Sequence, residues 1–175
     1  MQLTLILILG VLYPLTHILN GKLFAFAEIT PHIGLIYLPA FLRLLNVLIL
    51  KPRDGTLATL LGGVLLMQVF DNSTLVELLN IACSTGGPLI ALYLFKLYFK
   101  REVNLTSPQD LAALTFLYAP ANALLHHVMW SQLDPSQLQA PLQVLWMILG
   151  DITGTLLGAY CLIFVVRVYR MCRAG

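Results

Sequence analysis

The chain has 175 residues, of which 59% are hydrophobic and only 10% are charged; its net charge is +2 and its mean hydropathy is +0.86. About a quarter of the residues of a soluble domain are charged, so this composition excludes an ordinary water-soluble protein. A membrane-spanning helix needs about 20 residues, and six such helices with short loops account for the whole length. We therefore predict one integral membrane domain over residues 1–175, with no separate soluble domain.

Long apolar stretches separated by short polar ones predict helices, because only helices and closed barrels satisfy every backbone group within lipid. The predicted fold class is therefore all-α, a polytopic transmembrane bundle of about six helices. The third segment is short and contains Gly62 and Gly63, so whether it crosses the membrane fully stays open. The predicted spans are residues 2–19, 31–50, 57–71, 74–98, 108–130 and 141–168.

Basic residues at the ends of these spans predict the orientation of the chain. With six spans, the amino terminus and eight of the ten basic residues fall on one side of the membrane, and Lys22 falls on the other. Lys and Arg accumulate in cytoplasmic loops, which predicts a multi-pass protein of the bacterial inner membrane with both termini in the cytoplasm. The eight residues are Lys51, Arg53, Lys96, Lys100, Arg101, Arg167, Arg170 and Arg173.

Two of the predicted helices have recognisable start signals. Thr74 and Glu77 have the spacing of a capping box at the outer start of the fourth span. Ser107, Pro108 and Asp110 predict a cap, a first-turn proline and an acidic first turn at the inner start of the fifth span.

Eight polar or charged side chains fall inside the predicted spans, where each needs a partner to offset the cost of leaving water. We predict that they form a ligand-binding site or a buried polar network. The alternative is purely structural, with hydrogen bonds between helices that hold the bundle together. The eight residues are Arg43, Asn46, Glu77, Asn80, Asn122, His126, Asp151 and Thr155.

Arg43 and Asp151 are the charged residues placed deepest in the predicted spans. The helical rise puts them about 12 Å and about 24 Å from the inner boundary, a gap that an arginine reaching upward closes in large part. An ion pair is therefore one prediction, whether it serves a ligand or only fixes helix packing. Arg43 can instead extend to the cytoplasmic face, which leaves Asp151 to other partners. Glu77 likewise has two explanations, helix capping and ligand binding.

Imidazole and carboxyl groups gather in the outer half of the predicted bundle. Such groups bind transition metals or respond to pH, but none of their spacings matches a metal motif, so we predict no metal site and no cofactor. The chain has no phosphate loop, zinc-protease motif or nucleophile elbow, so we predict that it is not an enzyme. Its basic residues flank the membrane and form no patch, so no nucleic-acid partner is expected. The gathered residues are His17, His32, His126, His127, Glu28, Asp71 and Glu77.

Gly150, Gly154 and Gly158 repeat every four residues in the sixth span. A stripe of small residues lets a second helix approach closely, so we predict that these glycines form a helix-packing surface. Asp151 and Thr155 flank the stripe, which favours contact with a neighbouring helix over contact with lipid.

Four short segments occur in a characteristic order along the predicted spans. They are Ile36-Tyr-Leu-Pro-Ala40 with Arg43, Gly62-Gly63, Asn80-Ile-Ala82 followed by Gly87-Pro88, and Trp146 followed by Gly150-Asp-Ile-Thr-Gly154. Together, over about residues 31–168, they resemble the membrane-associated sensor domains of the MASE type.

The resemblance to MASE-type domains implies a polytopic sensor of the bacterial inner membrane, with characteristic polar positions at Arg43, Asn80 and Asp151. Such domains are usually fused to diguanylate cyclases or histidine kinases. This chain resembles a shortened, stand-alone form without an output domain after the sixth span, so signalling would require a separate protein.

Three functions are compatible with these features. The first is a sensor-like module whose periplasm-facing polar pocket binds a small-molecule ligand and signals through a protein partner, in the membrane or at the cytoplasmic face. The second is a small-solute transporter, or the substrate-binding subunit of one, with Arg43 and Asp151 in its path. The third is a structural or assembly subunit of a membrane complex. In each case the lipid bilayer surrounds the chain.

Overall fold

The computed structural model describes residues 2–30, 33–69, 73–140 and 142–174. Within these ranges the chain is mostly helical, with six α-helices, one antiparallel hairpin and two short 3-10 turns. His32, Asp71 and the predicted span boundaries at residues 31, 71 and 141 lie outside them. The helices are α1 (Gln2–Leu23), α2 (Pro39–Ile49), α3 (Lys51–Leu66), α4 (Thr74–Phe99), α5 (Pro108–Leu133) and α6 (Gln143–Ala174), and the strands are β1 (Glu28–Thr30) and β2 (Ile33–Gly34).

Helices α1, α4 and α6 are long and apolar enough to cross a membrane. The other three differ from them in length or polarity. With 11 and 16 residues, α2 and α3 are about 16 Å and about 24 Å long, against a hydrocarbon core of about 30 Å. Helix α5 has 26 residues but carries more polar side chains.

Contacts along the helices give their relative directions. Helix α1 runs antiparallel to α2 and parallel to α3, α4 runs antiparallel to α5, and α6 runs parallel to α2. The carboxyl ends of α1, α3 and α5 therefore meet the amino ends of α2, α4 and α6 at what we call the hairpin end, because β1 and β2 lie there. The contacts are Tyr13–Arg43, His17–Tyr37, Gly10–Ala58, Tyr13–Gly62, Gly87–Asn122, Asn80–Trp130, Gly154–Tyr37 and Gly158–Phe41.

Helix α2 begins at Pro39, whereas the predicted second span began at residue 31. Proline fixes φ near −65° and has no backbone N–H, so it suits the first turn of a helix and disfavours helix before it. Residues 33–38 instead form β2 and a non-helical connection, which we call the extended segment; it bends at Leu35 and turns into α2 at Leu38. The prediction of continuous helix over this part of the span is wrong.

Hydrogen bonds from α1, α6 and the hairpin region hold this extended segment in place. Backbone that is not helical is tolerated at membrane depth only where protein satisfies its polar groups. The bonds are Leu35 N to Ala27 O (2.8 Å), Tyr37 N to Gly150 O (3.0 Å), Leu38 N to Asn20 Oδ1 (2.8 Å), Asn20 Nδ2 to Ile36 O (3.2 Å), and Thr153 Oγ1 to Leu35 O.

Helix α3 begins at Lys51 and ends at Leu66, earlier at both ends than the predicted 57–71. Lys51 has φ +66°, which reverses the chain sharply after α2, and a proline follows in the first turn of α3. A side chain at Gly55 would lie 2.5 Å from Val47 Cα, so glycine there lets the two helices meet closely. The other four helices start within two residues of their predicted starts and extend further at their carboxyl ends.

The two predicted helix starts have different outcomes. Ser107 caps α5 by accepting a hydrogen bond from Asp110 N, with Pro108 in the first turn, which confirms that prediction. The cap of α4 is Ser73, whose side chain accepts from Val76 N. Glu77 is therefore the fourth residue of α4, not the third, and the predicted Thr74 capping box is wrong by one residue.

The glycine stripe on α6 packs against the extended segment and the start of α2. A Cβ atom at Gly150 would overlap Gly34 O, one at Gly154 would overlap Tyr37 O, and one at Gly158 would overlap Phe41. The absence of side chains on α6 thus allows the non-helical backbone to lie directly on the helix. This contact fixes the position of Tyr37, which the site below depends on.

Candidate functional site

A cavity of about 220 Å³ lies among the helices in the half of the bundle nearest the hairpin end. Residues of all six helices line it. Since one water molecule occupies about 30 Å³ of the liquid, the cavity has room for about seven waters or a small solute of similar volume. Its polar lining consists of Tyr13, His17, Tyr37, Arg43, Thr59, Glu77, Asn80, Ser84, His126, Trp130, Gln137, Gln139, Gln143 and Asp151.

Arg43 is buried in the cavity wall between two tyrosines. Its Nε and Nη2 donate to Tyr13 OH at 3.1 and 2.8 Å, and Nη2 also donates to Tyr37 OH at 3.0 Å. The guanidinium carbon lies 5.3 and 5.2 Å from the two ring centroids, within cation–π distance. His17 Nδ1 lies 2.9 Å from Tyr37 OH and extends this network along α1.

The charge of Arg43 has no directly paired carboxylate. Within the described residues Arg43 forms no ion pair with Asp151, and its Nη1 makes no hydrogen bond of ordinary length, although the fully buried Tyr118 lies beside the guanidinium. The side chain is also buried against α1, which is contrary to the alternative that it extends to the cytoplasmic face. Both sequence-based predictions for Arg43, direct pairing with Asp151 and extension to the inner surface, are therefore wrong.

Asp151 occupies another part of the cavity wall and is held by α5. Its Oδ2 accepts a hydrogen bond of 2.7 Å from Asn122 Nδ2, and its Oδ1 has no partner among the described residues. Asn122 is fully buried, and its main-chain oxygen accepts a 2.9 Å hydrogen bond from His126 Nδ1. Asn122 therefore orients both the carboxyl group and the imidazole ring.

Two predicted residues on α4 line the cavity nearer the hairpin end. Trp130 Nε1 donates to Asn80 Oδ1 at 2.9 Å, which ties α5 to α4. The Trp130 ring also contacts His126 edge-on, with 5.2 Å between ring centroids. Glu77 is buried in the same wall.

Gln143, at the start of α6, fixes the connection from α5 beside the cavity. Its Oε1 accepts hydrogen bonds from Gln139 N (2.8 Å) and Ala140 N (3.2 Å), and its Nε2 donates to Gln137 O (2.9 Å). Both Gln137 and Gln139 line the cavity. These hydrogen bonds fix the backbone of the loop at the edge of the cavity.

Three of the eight predicted site residues lie behind the cavity wall. Asn122 supports Asp151, as described above. Asn46 Nδ2 donates to Thr59 Oγ1 at 3.1 Å, and Thr59 in turn lines the cavity. Thr155 lies one turn beyond Asp151 on α6, buried, and its Oγ1 has no partner among the described residues. The other five predicted residues line the cavity.

Sequence reasoning missed the two tyrosines that hold Arg43, as well as the role of Trp130. A tyrosine within a membrane span is common, and nothing in the spacing of Tyr13 and Tyr37 indicates that they meet. Trp130 is the last residue of the predicted span 108–130, and tryptophan is common at the membrane interface. In fact its indole nitrogen donates to Asn80 inside the bundle.

His32 and Asp71 lie outside the described residues, and the other gathered imidazole and carboxyl groups are divided between the cavity and other contacts. In the part of the chain that the structure describes, no three His, Cys, Asp or Glu side chains are placed to hold a metal ion. His17 and His126 line the cavity, whereas His127 Nδ1 donates to Ala123 O at 2.8 Å. The cavity is therefore a site of mixed charge and hydrogen-bonding groups.

Comparison with family models, curated proteins and solved structures finds no match to this chain. The resemblance to MASE-type domains therefore rests on the four sequence segments alone.

Proposed function

We propose that the chain is a sensor-like module of the bacterial inner membrane. In this proposal a small polar ligand enters the cavity from the periplasm, and the bound state is passed to a protein partner. The observation that carries the proposal is a single cavity lined by all six helices, with the oppositely charged Arg43 and Asp151 in its wall and no direct pairing between them.

A cavity lined by buried polar and charged groups lowers the stability of the fold unless a bound molecule pairs with those groups. Buried charges in proteins are normally paired, and helix bundles pack densely where nothing binds. Here the described residues leave Arg43 Nη1 and Asp151 Oδ1 without hydrogen-bond partners. A ligand that bridges helices would supply those partners and bring the helices together, which is how binding can change the packing of a bundle.

The proposed topology has six spans with both termini in the cytoplasm. The alternating helix directions place the eight membrane-flanking basic residues at the end opposite the hairpin end, which the positive-inside rule assigns to the cytoplasm. In this topology the non-helical residues 33–38 continue the second span toward the hairpin end, because the 11 residues of α2 alone cover only about 16 Å. The cavity then faces the periplasm.

Helix α6 supports a route from the cavity to a partner. It carries Asp151 in the cavity wall and continues to Ala174, and residues 159–173 are almost entirely exposed. Arg167, Arg170 and Arg173 recur every three residues along this exposed part. A displacement of α6 on ligand binding would therefore reach the cytoplasmic face, where MASE-type domains, which the sequence resembles, connect to their output proteins.

The proposal is tested by thermal unfolding of the purified chain with fractions of a low-molecular-mass periplasmic extract. We expect at least one fraction to raise Tm by several degrees, because a ligand that binds only the folded state stabilises it. Met147→Trp, which enlarges a cavity-lining side chain, should abolish the response. Leu149→Trp is the matched control, because Leu149 is exposed on the outer face of the same helix.

Two results would contradict the sensor proposal. One is a Tm that no fraction changes, and the other is an unaltered response in Met147→Trp. A partner that copurifies equally with and without an active fraction, together with no stabilisation, would favour a structural subunit instead.

A second candidate, a small-solute transporter, is favoured by the interrupted second span. Many secondary transporters place non-helical backbone and a half-helix beside a substrate site near the midplane of the membrane, as residues 33–38 and α2 lie beside this cavity. Proteoliposomes separate the two functions. Uptake of the stabilising compound that is lost in Asp151→Asn would favour transport, and stabilisation without uptake would favour sensing.

A further inference from the structure

We infer that the cavity binds a small zwitterion, with a carboxylate for Arg43 and an ammonium group for Asp151. This inference rests on the proposed ligand-binding function and specifies its ligand. Arg43 and Asp151 line the same cavity, and yet each is held by neutral groups and not by the other.

Arg43 provides the site for the negative end of the ligand. Four of its five N–H donors belong to Nη1 and Nη2, and the described residues leave Nη1 without an acceptor. The groups around it, Tyr13, Tyr37 and the buried Tyr118, are phenols that orient the guanidinium and supply no carboxylate to pair with its charge. A planar carboxylate is the group whose geometry matches a guanidinium best.

Asp151 provides the site for the positive end. Asn122 Nδ2 donates a hydrogen bond to Oδ2 and so fixes the orientation of the carboxyl group. Oδ1 has no donor among the described residues. An ammonium group has three N–H donors and fits a carboxyl oxygen of this kind. Glu77 is a second buried carboxyl side chain in the same cavity wall.

The separation of opposite charges in the cavity, rather than their sum, favours a zwitterion over a simple ion. Its wall contains the cation Arg43 and the two carboxyl side chains of Asp151 and Glu77, along with the imidazoles of His17 and His126. A simple anion would match Arg43 but face two carboxyl groups, and a simple cation would leave Arg43 without a counter-charge. A cavity of about 220 Å³ also suits a ligand on the scale of an amino acid.

The test measures binding of the proteinogenic L-amino acids and γ-aminobutyrate to the full chain in lipid nanodiscs, by thermal shift and calorimetry. Each ligand that binds is compared with its amide, which lacks the carboxylate, and with its deaminated acid, which lacks the amine. We expect each deletion to weaken binding about tenfold to hundredfold, because each removes a charge-assisted hydrogen bond.

Asp151→Asn is the decisive variant, because an asparagine oxygen can still accept the hydrogen bond from Asn122. We expect this variant to fold, to bind the zwitterion at least about tenfold more weakly, and to lose its preference for the zwitterion over the deaminated acid. Glu102→Gln, at an exposed carboxylate outside the cavity, is the control and should bind as the unmodified chain does.

Three outcomes would overturn the inference and leave the proposed function intact. They are equal binding of deaminated acids, equal binding of amides, and stabilisation by an extract fraction when no zwitterion of the panel binds. If neither the panel nor any extract fraction binds, both the inference and the proposed function fail.

Discussion

Two arginines of this chain are surrounded in opposite ways. Arg101, in the loop before α5, forms a two-point ion pair with Asp110, in which Nη2 donates to Oδ1 at 2.7 Å. Asn104 N donates to the same carboxylate at 2.9 Å. Arg43, in the cavity wall, is held by the hydroxyl groups of two tyrosines and has no paired carboxylate among the described residues.

The difference separates a structural charge from one that is available to a ligand. At Arg101 the protein supplies the counter-charge itself, and the pair ties the loop to the first turn of α5. At Arg43 the protein supplies orientation only, through neutral groups, although the charge is far more deeply buried. A charge that is oriented but not neutralised is typical of binding sites, where the ligand completes the pairing.

Gly154→Ala is expected to have the largest effect, since it removes the support of Tyr37 and so of Arg43. A Cβ atom at this position would overlap Tyr37 O, a backbone atom that cannot move without displacing the extended segment. We expect loss of monodisperse protein on size-exclusion chromatography. Gly21→Ala is the control, because no atom lies within 4 Å of a Cβ built there. Equal behaviour of the two variants would refute the tight contact.

Tyr13→Phe tests whether phenol groups are what hold Arg43. The hydroxyl accepts from both Nε and Nη2, and its removal leaves Nε without a partner and Nη2 with Tyr37 OH alone. Hydrogen bonds to charged groups contribute about 1.5–3 kcal/mol, so we expect a loss of folding stability of that size. Thermal unfolding measures it, with Tyr160→Phe, an exposed position on α6, as the control. A loss no greater than that of the control would mean that Arg43 has other partners.

Much of the fold could be predicted from the sequence, because long apolar runs and helix caps are local signals. The four longer helices and the Ser107 cap follow from such signals. Pro39 is a local signal for the start of α2, but the non-helical backbone before it is not predicted locally, because the run around residues 33–38 is as apolar as a helix would be. Its conformation depends on distant groups, such as Asn20 and the glycines of α6.

The polar residues of the site could be selected from the sequence, but their pairing could not. The free-energy cost of placing a charged side chain in lipid identifies Arg43 and Asp151 individually. Helical rise and charge then suggested that they pair with each other, and this failed because Tyr13 and Asn122 provide closer partners from other helices. Which side chains meet across helices depends on helix rotation, a property of the whole bundle.

Two substitutions of the same kind, Asp110→Asn and Asp151→Asn, compare the surroundings of Arg101 with the cavity most directly. Asparagine at position 110 loses the counter-charge of Arg101 and one of the two acceptor oxygens, so we expect Tm to fall by a few degrees. Asparagine at position 151 can keep the hydrogen bond from Asn122 and removes a buried charge with no ion-pair partner among the described residues.

We therefore expect Asp151→Asn to leave Tm unchanged or to raise it. Functional sites are commonly less stable than the fold could be, and substitutions that remove their charge often stabilise the protein. Parallel thermal unfolding of the two variants in the same lipid measures the difference. A fall in Tm at Asp151 as large as that at Asp110 would make Asp151 a structural residue, and the distinction between the two regions would no longer hold.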